Sequence, residues 1–262
     1  MSPETVELER TAIDACLAGG RYLREAFRSE QTTARHLDHD VKSSADTGSE
    51  ERVLGIIQSR FPGHHVVAEE SGRHEGDDRY RWIVDPLDGT NDFEAGLPTF
   101  ATAVAVLVDG APEVGVVYVP VPDDLYVGRA GEGVRYNGRP VEATSSRPPA
   151  RATVVSVIGH DVKQVPEHSE VSERLNRAVE TRCKRRVESW SPTVHWGLLA
   201  RGRMDGIVCY RPDEDEQHLG ELFAAESGLD SESGDHWFVA ATTTELRSSL
   251  AALAREHTPS QG

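Results

Sequence analysis

Two short apolar runs that stop abruptly at acids constrain this chain more than any other feature. Val66-Val67-Ala68 leads into Glu69-Glu70, and Trp82-Ile83-Val84 leads into Asp85, with Asp88 three residues further on. Runs this short and this rich in β-branched residues predict strands. Two neighbouring strands that both finish in carboxylates place three or four negative charges at one sheet edge, which is costly unless a cation neutralises them. Taken alone, Asp85-Pro86-Leu87-Asp88-Gly89 is equally a well-formed β-turn, with Asp, Pro and Gly at favoured positions. Paired Glu on a loop is usually just solvated. The coincidence of two acid-ended strands favours metal.

The turn suits a hard cation. Mg²⁺ takes oxygen ligands and keeps several waters, so Asp85, Asp88 and the backbone carbonyl of Leu87 make a suitable half-shell. Gly89-Thr90-Asn91 could open a helical turn whose free N–H groups hold a phosphate oxygen beside the metal.

Around this segment the periodicity predicts a helix from Pro3 to about Phe27 and a second amphipathic helix through Val53, Ile56 and Ile57, ended by Phe61-Pro62-Gly63. Strands are predicted at His65 to Ala68, Trp82 to Val84, Thr102 to Val108, Val114 to Val119 and Leu125 to Gly128. Ser145-Ser146-Arg147-Pro148-Pro149 reads as a polar connector, dividing one unit, 1–262, into subdomains of about 1–145 and 146–262. The second half reads as strand (Thr153 to Ile158), helix (Ser169 to Glu180), helix opening at Ser191-Pro192, strand (Gly206 to Cys209), helix (Glu216 to Ser227), strand (Trp237 to Ala241) and helix (Thr244 to Arg255). That alternation indicates an α/β layer set against an α+β half.

Composition narrows the partners. Of 262 residues, 28 are basic and 44 acidic, a formal net charge of −16. This works against non-specific nucleic-acid or anionic-membrane binding. Only Lys42, Lys163 and Lys184 are lysines, so the acidic surface reads either as a halophilic trait or as a coding bias toward Arg. There is no run of about 20 apolar residues and no signal-peptide pattern, so the expected location is cytoplasmic. Cys16, Cys183 and Cys209 lack any metal-ligand spacing and read as buried bystanders. His64, His65, His160, His195 and His218 also lack ligand spacing and receive no role. Trp190 and Trp196 flank Ser191-Pro192 and read as packing residues, with a part in substrate specificity as the weaker alternative.

Glu69-Glu70-Ser71, followed by Asp85-Pro86-Leu87-Asp88-Gly89-Thr90 after a Trp-Ile-Val strand, resembles the inositol monophosphatase family of Mg²⁺-dependent, lithium-sensitive sugar phosphatases. The resemblance extends to Asp46-x-x-x-Glu50, to Phe61-Pro62-Gly63-His64 and to the glycine-rich Gly131-Glu132-Gly133-Val134-Arg135-Tyr136-Asn137-Gly138. It implies an α/β layered sandwich of the inositol monophosphatase and fructose-1,6-bisphosphatase type, with the site between two subdomains. It also implies two or three Mg²⁺ ions and hydrolysis of a small polyol or sugar phosphate, with inositol monophosphate as the lead candidate. Fructose 1,6-bisphosphate, 3′-phosphoadenosine 5′-phosphate and a catalytically degenerate, ligand-binding homologue are the alternatives. The implied partners are a small phosphorylated substrate and, in some forms, a second copy in a homodimer, with neither nucleic acid nor membrane.

The resemblance matches Glu69, Asp85, the Leu87 carbonyl and Asp88 to metal ligands, and Gly89 and Thr90 to the residues that hold phosphate. Thr90 would also position the attacking water, and Asp46 would pair with Thr90 or polarise that water; otherwise Asp46 caps the second helix. The chain departs from the family where a Trp-Asp pair usually completes the metal site. Counting back from Glu226-Ser227-Gly228 puts Glu216 at the Asp and Asp215 at the Trp. A helix from Glu216 to Ser227 buries Leu219, Leu222 and Phe223, so Glu216 on its first turn points inward and Asp215 fits the N-cap.

Overall fold

The computed structural model describes residues 3–29, 34–36 and 41–258. Helix α1 (Pro3–Ser29) is followed by a small ribbon, β1 (Ala34–His36) with β2 (Val41–Ser43), and by helix α2 (Ser44–Arg60). Next come β3 (His64–Ala68), β4 (Gly72–His74), β5 (Asp77–Asp88), the single turn α3 (Thr90–Glu94), β6 (Ala101–Val108), β7 (Ala111–Val119), β8 (Asp124–Arg129), β9 (Gly133–Tyr136) and β10 (Arg139–Val141). The remainder is β11 (Thr153–Ile158), α4 (Pro166–Arg182), β12 (Arg185–Glu188), α5 (Pro192–Ala200), β13 (Gly206–Tyr210), α6 (Glu214–Glu226), β14 (Asp230–Gly234), β15 (Trp237–Ala241) and α7 (Thr244–His257).

Strands β3 to β10 form one eight-stranded sheet in the order β10-β9-β8-β7-β6-β5-β3-β4, and β11 to β15 form a five-stranded sheet in the order β12-β11-β13-β15-β14. Period-two alternation decides which layer each side chain enters. Trp82 and Val84 of β5 face α1 and α2, joining Leu8, Ala12, Val53 and Ile57 in one core. Ile83 faces the other way, into a core shared with Trp196 of α5, Phe223 of α6, and Val155 and Ile207 of the second sheet. The far face of the second sheet is covered by α4 and α7 through Leu175, Val179, Leu246 and Leu250. The molecule is therefore an α/β sandwich layered helices, sheet, helices, sheet, helices. Asp85, two residues beyond Ile83, belongs to the face of β5 that meets α5 and α6.

Strands β4, β12 and β14 are absent from the periodicity reading for a physical reason. Each lies at the end of its sheet, and β14 (Asp-Ser-Glu-Ser-Gly) has no apolar residue. Polar sequence is how edge strands avoid pairing with other chains, and it removes the alternation by which strands are recognised.

The α5–α6 contact is close enough to test. A Cβ built on Gly220 would lie 2.3 Å from Cε2 of Trp196, which is 2% exposed and packed edge-on against Phe238. Helix propensity alone favours Gly220→Ala by about 1 kcal/mol, but overpacking a rigid core costs roughly 1–3 kcal/mol. Sterics should prevail, and thermal denaturation of Gly220→Ala should show a lower midpoint than the wild type.

Candidate active site

Strands β3 and β5 are parallel, with Ala68 opposite Val84, so the chain leaves both strands at one edge, at Glu69 and Asp85. The Glu69 N–H donates to the Val84 carbonyl at 3.3 Å and closes that corner. Beyond Asp85 the pairing of β5 with β6 is interrupted until Asp88 meets Ala101. The interruption is a compact turn tied down from several sides. Asp85 Oδ1 accepts the Leu87 N–H (3.1 Å), while the Pro86 carbonyl accepts from the hydroxyls of Ser49 (2.8 Å) and Thr102 (3.1 Å). The Leu87 side chain is buried with Leu23, Phe93 and Phe100, anchoring the turn from below. Gly89 follows at φ +89°, where a Cβ would lie 2.7 Å from Ser191 Oγ and 2.9 Å from the Thr99 carbonyl. Only glycine meets both demands at low cost.

Helix α2 serves the site twice from one face, because residues four apart on a helix are neighbours. Asp46 Oδ1 and the Leu87 carbonyl lie 3.0 and 3.1 Å from Thr90 Oγ1, whose single proton can go to only one of them at a time. The other Asp46 oxygen accepts the Ser43 N–H at 2.9 Å. The capping alternative for Asp46 is thus partly right: Ser43 is the N-cap, and Asp46, three residues on, is its reciprocal partner in a capping box. One turn later, Glu50 accepts the N–H groups of Glu70 (2.8 Å) and Ser71 (2.9 Å) and so shapes the loop that carries Glu69. The i+4 spacing of Glu50 from Asp46 is the sequence signal of this second task.

Asp88 joins the two halves. Its Oδ2 accepts the Thr193 N–H at 2.9 Å and the Thr193 hydroxyl, and the Val194 N–H also supports it, so it caps the start of α5 from another element. Glu69, Asp85, Leu87, Asp88, Gly89 and Thr90 all border one cleft. Glu216 borders it too, from the first turn of α6. Helix α6 starts earlier than the spacing predicts, at Glu214, and its N-cap position is Asp213 rather than Asp215. The side chain of Asp215 lies outside the described residues.

The acids titrate abnormally because they are withdrawn from water and face one another. Asp85 is raised well above the usual carboxylate range, by burial first and then by the charges of Glu69, Asp88, Glu216 and Asp46. Burial pushes Asp88 up to about 7 against the opposing hydrogen bonds from Thr193 and Val194. Burial, then Asp88 and Asp213, pushes Glu216 up to about 8. Asp46 rises to about 7, again mainly by burial, with the donors Ser43 and Thr90 opposing. Acids raised by burial and then by one another favour a bound cation, and an all-oxygen donor set fits Mg²⁺.

Two aromatic and imidazole expectations are corrected. Trp196 is buried, but Trp190 is 40% exposed, borders the cleft and carries Lys163 Nζ 4.0 Å from its ring centroid. Packing therefore explains one tryptophan only. Among the histidines, His64 is structural, stacked on Phe61 and Tyr80 and accepting from Trp82 Nε1 at 3.0 Å. His160 is not. It borders the cleft with its ring Nδ1 3.0 Å from Asp213 Oδ2, a proximity across 53 residues that no local spacing reveals. The cysteines are free and buried.

Comparison with known proteins bears on the fold and the family. A Nus factor SuhB from Pasteurella multocida is 30% identical over 220 residues, 83% of this chain and 81% of that protein. A fructose-1,6-bisphosphatase/inositol-1-monophosphatase from Aquifex aeolicus is 38% identical over 143 residues, 54% of each chain. The crystal structure of the extragenic suppressor protein suhB from Bartonella henselae superposes with a TM-score of 0.87 at 22% identity, covering 96% of this chain and all of that one, which shows the shared fold. The inositol monophosphatase family profile matches residues 4–215, and by that match together with the 30% identity to a near full-length relative, this chain belongs to the inositol monophosphatase family.

Proposed function

We propose that the protein is a Mg²⁺-dependent phosphatase that hydrolyses a phosphate monoester of a small polyol or sugar, with inositol monophosphate as the lead substrate. The observation that carries this reading is the convergence of Glu69, Asp85, Asp88 and Glu216 on one cleft beside the Thr90–Asp46 pair. Bound divalent cations would supply Lewis acidity, making water nucleophilic near neutral pH and stabilising charge on the leaving oxygen. Glu69, Asp85, the Leu87 carbonyl, Asp88 and Glu216 are the groups that would hold them. The Gly89 and Thr90 N–H groups, at the opening of α3, would hold phosphate oxygens. Thr90 donates its hydroxyl proton to Asp46, which frees a Thr90 lone pair to accept from, and so aim, the attacking water. Burial holds Asp46 above the usual carboxylate range and this arrangement requires Asp46 ionised, so activity should be lost as falling pH protonates it.

Phosphate release, assayed over inositol, sugar and nucleotide monophosphates with Mg²⁺, with EDTA and with Li⁺, tests the proposal. Turnover should require Mg²⁺ and fall with Li⁺; undiminished turnover in excess EDTA would exclude it. The name Nus factor, borne by the Pasteurella relative, supports a second reading in which the fold serves as an interaction module. The net charge of −16 opposes direct contact with polyanions but not docking on a protein, so a nucleic-acid-associated partner is not excluded on that ground. Absence of turnover on every ester, with Mg²⁺ still bound, would favour this second reading. Among the described residues no helix is long and apolar enough to cross a membrane.

A further inference from the structure

His160, Asp213 and Glu216 bring one imidazole nitrogen and two carboxylate oxygens within 4.8 Å of one another at the rim of the cleft. They come from separate places, the start of the loop after β11 and the beginning of α6. Asp213 stands at the N-cap of α6, where an aspartate ordinarily accepts from the helix's own N–H groups. Its side chain makes no such bond. Instead its Oδ2 takes both the backbone N–H of His160, at 3.2 Å, and the ring Nδ1, at 3.0 Å. Among the described residues nothing else hydrogen-bonds the second ring nitrogen of His160, Oδ1 of Asp213 or the carboxylate of Glu216. Three donors from two separate elements thus face one point at the rim of the cleft.

We propose that His160, Asp213 and Glu216 form a mixed nitrogen and oxygen site for a borderline divalent cation, such as Zn²⁺, Co²⁺ or Mn²⁺, beside the all-oxygen cluster. Imidazole suits these ions and adds little for Mg²⁺, which prefers oxygen. Ligand atoms around such an ion lie roughly 3–3.5 Å apart, given metal–ligand bonds of about 2.0–2.2 Å. The three donors need only draw together slightly, and His160 and Asp213 are partly solvent-exposed, so they have room to move. The cluster rests on the phosphatase reading only through Glu216, which it shares. Its effect on that reading is a cation preference: the chain should bind transition metals more tightly than a cluster of carboxylates alone.

The test is Co²⁺ and Mg²⁺ titration of the full, metal-stripped chain at one fixed pH, roughly 8.5, because a bound cation displaces protons from its ligands. Affinities are read by calorimetry and ligation by proton NMR, in which a Co²⁺-bound imidazole shows a hyperfine-shifted ring N–H resonance. His160→Ala should weaken Co²⁺ at least about tenfold and abolish that resonance. Asp213→Asn should weaken Co²⁺ similarly, and both variants should keep wild-type Mg²⁺ affinity. Asp85→Asn should lose Mg²⁺ affinity while retaining the resonance. No shifted imidazole signal in the wild type, a signal that survives His160→Ala, or an equal loss of Mg²⁺ and Co²⁺ in His160→Ala would each overturn the proposal. Failure of the wild type to bind Mg²⁺ would count against the phosphatase reading alone.

Discussion

Asp85→Asn should lower turnover by at least about a hundredfold and at the same time raise the melting temperature of the metal-free protein at pH 8. Asparagine keeps the oxygen that accepts the Leu87 N–H, so the turn survives. What it removes is a charge raised out of its normal range by burial, Glu69, Asp88, Glu216 and Asp46. The sign of the pH effect follows. Acids that titrate near 4 in the unfolded chain and at about 7 (Asp88, Asp46) or about 8 (Glu216) in the fold hold more protons when folded across that interval. Stability of the metal-free protein therefore falls as pH rises from about 4 to about 8. Mg²⁺ should restore it by binding the folded state alone. Calorimetric scans at pH 5 and pH 8, with EDTA or Mg²⁺, check all three statements. Near-normal turnover in Asp85→Asn would return this segment to the status of a structural turn.

Asp205→Ala should be strongly destabilising although it lies away from the cleft. Asp205 is fully buried and accepts from the Thr153 N–H at 2.8 Å, from Arg147 Nη1 at 3.1 and 3.2 Å, and from the Ser145 hydroxyl. It thereby ties the polar connector to the start of β11. Alanine leaves the Thr153 N–H without its acceptor in a buried place and frees the connector. We expect a loss of about 3–5 kcal/mol, by analogy with breaking a buried, charge-assisted pair. At this chain length that is roughly 10 °C in the melting midpoint. Arg147→Ala removes a side chain that is 53% exposed and should cost far less. Turnover at 25 °C per folded molecule should be unchanged in both, because neither residue borders the cleft. Comparable midpoints for the two variants would show that Asp205 is not the anchor.

The elements read most easily from the chain are those that are buried on one regular face or along their whole length. Helix α1 announces itself by the helical period of its buried face, and strands β6 and β7 and the Trp82-Ile83-Val84 run by short continuous apolar stretches whose two faces enter two cores. Edge strands such as β14 carry no such record, since their outer face meets water. The same contrast divides the site. Asp85 and Asp88 are legible because a strand, a proline and a glycine surround them within five residues. His160, Glu50 and Thr193 are not, because each acts on a partner at least 20 residues away. Trp190 was misread since a tryptophan beside a helix start looks the same from sequence whether its ring turns inward or toward the cleft.

Local chemistry alone determined the acid-ended strands, the left-handed glycine at position 89 and the family to which they belong, because each depends on residues adjacent in the chain. The tertiary structure decided which acids meet. Parallel pairing of β3 with β5 sets Glu69 beside Asp85, and packing of α5 and α6 on the inner face of β5 delivers Thr193 to Asp88 and Glu216 to the cleft. Charge accumulates there because core burial on either side fixes the backbones, and the free energy of those cores exceeds the repulsion among a few carboxylates.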